Sequence, residues 1–512
     1  MKFYITTPIY YVNDVAHIGH SYTTIASDVI ARWKRLNNYD VFFLTGTDEH
    51  GAKIDAASKA KCKTPQKFCD EMSAKFKEAW KLLDISYTDF IRTTEHRHLV
   101  SVEKVIQILS DKGLIFKKKY ESLYCVGCER FYAQKDLDEN GCCHLHQTKP
   151  TLQSEENYFF KLSSFQNAIL ERITNPNHEE YLEIQPEERR NEIIGKLKLG
   201  LEDISFSRIA VEWGIPLPFD KRQTVYVWVD ALINYMTGVG YIENENRFKK
   251  YWPVDAHLMA KDILWFHSVI FPAILMGLGL PLSRKIYSHG FFTLNGSKMS
   301  KSLGNVISPQ ELVDKYGVDA ARYLTVTLIP FGSDGDISWE GLTLKYNEDL
   351  ANNLGNLVSR IIKIAEKCFD LHVPYVEQNL ELAKNTSAIL KENFIVNMDN
   401  GQLHKAAQDL QSVITFVNRQ IETDAPWKLI KTDMNKLAAC IYSYLQAVDI
   451  IAMYLIPFMP TISKKIWQIT GARGDMDEVA KKYFLDSIIP ENGFSPSNAQ
   501  LQVFGILFPR IC

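Results

Sequence analysis

The sequence predicts an α/β fold built on a parallel sheet, interrupted by an insertion and followed by a helical bundle. Three observations carry this reading. A strand–helix–strand pattern fills the first fifty residues, it resumes after a turn-rich interruption, and a continuous helical periodicity runs from Trp339 onward.

Residues Lys2 to Tyr10 are rich in β-branched and aromatic types and short enough for a buried strand. Asn13 and Asp14 supply loop and capping chemistry. From His17 to Leu36 the apolar residues Ile25, Val29, Trp33 and Leu36 recur at helical spacing. Val41–Leu44 then gives a second apolar strand ending at Thr45-Gly46-Thr47-Asp48. Short joins between strand, helix and strand describe a parallel βαβ unit, whose ligands sit at the carboxyl ends of the strands. Both His17-Ile18-Gly19-His20 and Asp48 fall at such ends.

After Phe116 the pattern changes: residues 117–225 are turn-rich and hold a cluster of cysteines. Strand character returns at Thr224–Trp228, and helix and strand alternate again to about Gly335. Long periodic helices are expected around 343–370, 386–421 and 434–468. The expected division is therefore 1–116 and 226–338 for the two halves of the α/β domain, 117–225 for the insertion, and 339–512 for the helical part. Ile263–Leu282 is apolar enough to suggest a membrane span, but His267, Ser268 and Pro272 within it favour a buried core helix.

A chain of 512 residues exceeds what one hydrophobic core supports. The formal net charge of −3 excludes a protein that coats nucleic acid by bulk charge, while leaving room for local basic patches such as Lys117–Lys119 and Lys196/Lys198. Met1 leads directly into strand-like residues without a charged leader and apolar segment, so a cytoplasmic, reducing compartment is expected, with metal before disulfide for clustered cysteines.

His17-Ile18-Gly19-His20 opens a helix directly after a strand, where free N–H groups and the helix dipole favour phosphate. Histidines at i and i+3 share one helix face, and Gly19 allows a base or ribose to approach the backbone. Gly296-Ser297-Lys298-Met299-Ser300-Lys301-Ser302-Leu303-Gly304 places two lysines three apart in a glycine-flanked loop, suited to closing over a leaving pyrophosphate. No GxxxxGK[ST] loop occurs, and no GxGxxG follows a strand.

Together these two motifs resemble the class I aminoacyl-tRNA synthetases, and the likeness runs over nearly the whole chain. Thr6–Asn13, Thr45–Gly51, Tyr226–Ala231 and Lys261–His267 resemble the methionine-specific members. The resemblance implies a Rossmann-like catalytic domain, ATP with magnesium, methionine and tRNA(Met) as substrates, and His17, His20, Lys298 and Lys301 as the catalytic set. It further implies that Gly19 and Asp262 contact ATP and that Asp48 takes the substrate ammonium. Ile9, Tyr11, Trp228, Ala231, Leu232, Tyr235, Ile263 and His267 would line the methionine pocket, where aromatic walls suit a polarizable thioether. Ala260 departs from the family's usual glycine and could crowd the nucleotide.

Cys125-Val126-Gly127-Cys128 followed by Cys143-His144-Leu145-His146 supplies four ligands for tetrahedral zinc, a closed and hence structural site. Cys142 and His144 are adjacent spare ligands, which leaves the third and fourth positions open. In the helical part, Asn352–Arg360 and Asp424–Trp427 resemble the family's anticodon-reading elements. Asn356 and Arg360 are spaced to share one face, and Trp427 offers a surface for an unstacked base. The chain stops too soon for the appended dimerising domain of some relatives, so a monomer is expected.

Overall fold

The computed structural model describes residues 1–127, 130–132, 137–144, 147–209, 211–298, 306–376, 379–503 and 505–511. The first βαβ unit forms as the periodicity predicts. Strand β1 (Lys2–Tyr11) leads through a turn into helix α1 (Ile18–Leu36) and then strand β2 (Asp40–Asp48). Strand β3 (Asp89–Arg92) and helix α2 (His96–Asp111) complete this half. The second half contributes helix α3 (Val227–Gly238) and strands β5 (Ala256–Ala260) and β6 (Lys285–His289).

A sixth strand, β4 (Glu183–Gln185), joins these to give a parallel sheet in the order β3-β2-β1-β5-β6-β4. Because β2 and β3 lie on one side of β1 and β5 on the other, the strand order reverses beside β1. A ligand-binding crevice is expected at the carboxyl ends there, and α1 begins at that point.

Two local expectations change. Strand β4 comes from within 117–225, so this stretch does not stand wholly apart from the main sheet. Its short Ile184-centred strand is too brief to show a periodicity, and parallel pairing with β6 secures it. The insertion's own four-stranded sheet is carried by the long antiparallel pair Ile115–Cys125 and Thr151–Phe160. Secondly, Tyr226–Trp228 does not continue the strand Thr224–Val225: Tyr226 caps α3, and Val227 and Trp228 form its first turn. The run is apolar on every side because the helix is almost wholly buried, which removes the usual amphipathic signal.

Within Ile263–Leu282 a helix packs in the α/β core, with a wide π-type turn at Phe266–Ile270 continuing into Phe271–Leu278, where it ends. The helical part follows from Trp339. Two of its long periodic stretches are broken: Glu381–Asp399 and Leu403–Asp424 meet at Gly401 (φ 68°), and Met434–Leu455 and Pro460–Ile469 meet at a proline-bounded turn. Met434–Leu455 is the one described helix long and apolar enough to cross a membrane, and 89% of its apolar window is buried inside the bundle.

Candidate functional site

The two histidines are fixed by the helix they open. His17 is the N-cap of α1, and its Nδ1 accepts the Gly19 N–H at 3.1 Å. His20 Nδ1 in turn accepts the His17 N–H at 3.3 Å, a reciprocal capping box made from imidazoles. Both Nδ1 lone pairs serve backbone donors, so each neutral ring carries its proton on Nε2. The rings stack with centroids 3.9 Å apart. Tyr10 and Phe76 meet His20 edge-on at 4.9 and 5.7 Å. A Cβ on Gly19 would stand 2.9 Å from His17 Cε1, so the glycine is required by the His17 ring itself.

The lysine loop starts beside this cap. Phe292–Leu294 and Ser297–Lys298 form a hairpin, with Asn295 and Gly296 at φ 51° and 74° in the turn. Two positive φ values in an Asn-Gly pair are those of the turn that matches strand twist. Asp336 Oδ1 accepts from Thr293 Oγ1 at 2.6 Å and from Gly296 N at 2.7 Å, holding the hairpin in place. Beyond the loop, Ile307 accepts the Ile18 N–H at 2.8 Å, which joins the loop's far end to the start of α1. Lys298 is placed by its backbone in the hairpin; Met299, Ser300, Lys301, Ser302, Leu303, Gly304 and Asn305 lie outside the described residues.

Among the residues expected to hold an amino acid, Tyr11 meets Trp228 and Tyr235 meets His267. Tyr11 and Asp48 are register partners at the ends of β1 and β2, and Ile9 pairs with Gly46. Asp48 is 2% exposed, and a buried carboxylate calls for a cationic or hydrogen-bonding partner. Trp228, Ala231, Leu232 and Tyr235 recur at helical spacing on α3, within the first three turns. Trp228 meets Tyr11 edge-on at 5.9 Å and stacks on Phe266 at 4.1 Å. His267 Nδ1 lies 3.0 Å from the Ile263 carbonyl and Nε2 lies 2.7 Å from Tyr235 Oη. The carbonyl accepts only, so Nδ1 bears the proton and the Tyr235 hydroxyl donates to Nε2. Burial holds His267 down at about 4, so the ring is neutral at physiological pH. Asp262 is exposed at the start of this segment, two residues after Ala260 at the end of β5.

Several residues to which the sequence motifs assign no role anchor this site. Glu49 is fully buried and takes Arg92 Nε and Nη2 at 2.7 and 2.9 Å. Asp230 lies between His50 Nδ1 and His98 Nε2, at 2.7 Å from each. Arg208 is buried with its guanidinium 4.2 Å from the Tyr226 ring centre. Glu49 and His50 directly follow Asp48, so their type and position were visible, but their partners are tens to hundreds of residues away.

In the insertion, Cys125 and Cys143 are 2% and 0% exposed and share a small core with Tyr132. Cys142 is half-buried with its Sγ turned toward the Asn140 carbonyl at 3.9 Å, and His144 is exposed. Cys128 and His146 lie outside the described residues. The fit to zinc therefore rests on two sulfur donors withdrawn from solvent into one core, a soft donor set of the kind zinc takes.

In the helical part, Asn356 is exposed and Arg360 is half-buried. Arg360 pairs with Glu422 at 2.6 Å, and its guanidinium stands 5.7 Å over the Trp427 ring. Trp427 is 44% exposed. The structure thus brings Arg360 and Trp427 together. Asn353, one turn earlier, bonds Gln411, Thr415 and Asn418 across the bundle.

The family described as tRNA synthetases class I (M) matches residues 3–142 and 134–362. The anticodon binding domain of methionyl tRNA ligase matches residues 373–500. The methionine–tRNA ligase of Caldanaerobacter subterraneus is 42% identical over 515 residues, 99% of this chain and 79% of that one. That of Streptomyces coelicolor is 40% identical over 99% of this chain and 96% of its own. The solved Mycobacterium tuberculosis methionyl-tRNA synthetase in complex with methionyl-adenylate superposes with TM-score 0.93 at 35% identity, covering 100% of each chain.

Proposed function

Because the chain belongs to the methionine–tRNA ligase family of class I tRNA synthetases, and so joins methionine to tRNA at the expense of ATP, we propose that the His17/His20 cap and the neighbouring aromatic pocket form its active centre. The observation that carries this is the reciprocal imidazole cap at the carboxyl end of β1, next to the Tyr11–Trp228 and Tyr235–His267 pairs.

The α-carboxylate oxygen of methionine attacks the α-phosphorus of ATP. The bond to the bridging oxygen breaks and pyrophosphate leaves. A terminal ribose hydroxyl of tRNA(Met) then attacks the carbonyl carbon, and AMP departs with the electrons of the acyl–oxygen bond. The chain's contribution is position and charge, so no protein nucleophile is needed. With Nδ1 committed to the backbone, His17 and His20 direct Nε2–H donors toward the phosphates, beside the positive end of α1. Gly19 and Asp262 contact ATP, and Lys298 and Lys301 close over the departing pyrophosphate. Magnesium accompanies ATP and neutralises phosphate charge.

Asp48 binds the methionine ammonium. Ile9, Tyr11, Trp228, Ala231, Leu232, Tyr235, Ile263 and His267 enclose the thioether. The Tyr235–His267 hydrogen bond matters here, because it consumes both polar edges and leaves an uncharged wall for sulfur. Cys125, Cys128, Cys143 and His146 hold one structural zinc ion; burial of Cys143, against half-burial of Cys142 and exposure of His144, supports that choice. Asn356, Arg360 and Trp427 read the anticodon.

The divisions 1–116, 117–225, 226–338 and 339–512 serve as catalytic, inserted, catalytic and anticodon-binding parts, with β4 returning to the catalytic sheet. The protein works as a cytoplasmic monomer without a membrane partner. The deciding experiment is amino-acid-dependent ATP–pyrophosphate exchange with each of the twenty amino acids, without tRNA. Exchange with methionine alone is expected. Exchange with another amino acid would overturn the pocket assignment, and no exchange from folded protein would overturn catalysis.

A further inference from the structure

We propose that Asp230 is a positioning residue for methionine activation: it locks the strand tip that carries Asp48 to the helix that carries the thioether wall. This rests on the assignment of Asp48 and the α3 residues to the methionine site.

Asp230 lies in the first turn of α3, between Trp228 and the Ala231–Leu232 pair, and is 1% exposed. Its two carboxylate oxygens are used separately. Oδ2 is 2.7 Å from His50 Nδ1, two residues beyond Asp48 at the end of β2. Oδ1 is 2.7 Å from His98 Nε2 on α2, which packs behind. An ionised carboxylate only accepts, so both imidazole nitrogens facing it carry hydrogen. His98 Nδ1 is buried and has no partner among the described residues. The two histidines hold the Asp230 carboxyl down to about 2 despite complete burial.

The network joins the two ends of the proposed pocket and is almost wholly buried, with Asp230 and His98 at 1% and 0% exposure and His50 at 6%. Asp48 would fix the ammonium, while α3 supplies the wall about the thioether. These elements are 180 residues apart in sequence at the His50–Asp230 contact. Between Asp48 and His50, Glu49 is held by Arg92 of β3, which steadies the strand tip from the neighbouring strand. His50–Asp230 is the charged contact that sets the distance between ammonium seat and thioether wall. Two short charge-assisted hydrogen bonds on one carboxylate give that distance little freedom. Small displacements of bound reactants are costly in rate and affinity.

The test is ATP–pyrophosphate exchange on the full-length protein, with methionine and ATP varied separately. Asp230→Asn keeps the volume but sets an NH2 against one imidazole N–H. It is expected to raise the methionine KM at least tenfold and the ATP KM less than twofold. His98→Gln places an N–H donor where Nε2 stood and is expected to keep the methionine KM within threefold of the parent. His98→Leu removes that donor and is expected to behave like Asp230→Asn; this pair also decides the matter if Asp230→Asn does not fold. Parallel rises in both KM values, no rise in either, or equal damage from His98→Gln and His98→Leu would overturn the proposal. A parent enzyme that exchanges with methionine while the variants match it sinks only this inference; a parent that does not exchange with methionine sinks the functional reading instead.

Discussion

Asp28 of α1 and Arg322 of the helix Val318–Thr327 are both fully buried and meet at 2.7 Å. The guanidinium also donates to the carbonyls of Phe458 and Pro457 at 3.2 and 3.1 Å, and to that of Leu83 at 3.0 Å. One side chain thus fastens the helix opened by His17 to the second helix after the lysine loop and to the turn between two bundle helices. Asp28 has a second cation in Arg32 at 2.7 Å, and the pair holds its carboxyl well below the usual range. Removing one member of a buried pair commonly costs about 3–5 kcal/mol, because the other charge and its carbonyl partners lose their compensation. Arg322→Met should therefore lower the denaturant midpoint strongly, with Arg32 retaining part of the Asp28 compensation. Urea unfolding followed by circular dichroism checks this, and an unchanged midpoint would show the junction to be energetically idle.

Gly19 makes a second case in which a motif residue has a local cause. Its missing Cβ leaves room for the His17 ring, which would otherwise meet a methyl at 2.9–3.1 Å. Gly19→Ala should displace that ring, break the cap at Gly19 N–H and misdirect the Nε2 donor. Loss of one preorganised donor to developing charge costs about 10²–10³ in kcat. Exchange kinetics should show that fall in kcat with the methionine KM nearly unchanged. Normal turnover would mean that the ring is not a phosphate donor.

Much of the catalytic half was legible because its signals are local. The β1–α1–β2 unit reads directly from periodicity, and its capping histidines sit where a strand meets a helix. The α3 start was misread as strand because a helix buried on all sides shows no polar face. Strand β4 escaped because three residues show no period. The anchors of Asp48 were illegible for another reason: His50–Asp230, His98–Asp230 and Glu49–Arg92 span 180, 132 and 43 residues. Such pairings arise only when the sheet brings distant elements together. Family resemblance supplied the proposed pocket residues but said nothing of what holds them.

The choice among the proposed zinc ligands can be tested by substitution. Cys143 is fully buried beside Tyr132, whereas the neighbouring Cys142 faces Asn140. Cys143→Ala should lower bound zinc from about one ion per chain to almost none, since three protein ligands leave a structural site open. Cys142→Ala should retain the ion. Elemental analysis of the purified variants gives the answer, and the reverse pattern would assign Cys142 instead.

Asp449 should make the helical part sensitive to alkali. It is buried with Thr470 Oγ1 at 2.5 Å and Ser495 Oγ at 2.6 Å, and burial pushes its carboxyl up to about 7 despite these hydrogen bonds. In the unfolded chain the same group titrates near the ordinary carboxylate value. Between these values the folded state keeps a proton that the unfolded state has released. Its contribution is therefore complete in acid and is lost as pH rises through about 7. Buried His267 and His289, held down at about 4, act in the opposite direction: their contribution is lost as pH falls from 6.5 toward 4. Asp449→Asn keeps an acceptor and a donor for the two hydroxyls but cannot ionise. Its stability advantage over the parent should be roughly 3 kcal/mol larger at pH 8 than at pH 5. Melting temperatures of both proteins at the two pH values isolate this group, because the histidine effects cancel in the difference. A gap that is the same at pH 5 and pH 8 would show that Asp449 stays ionised in the folded bundle.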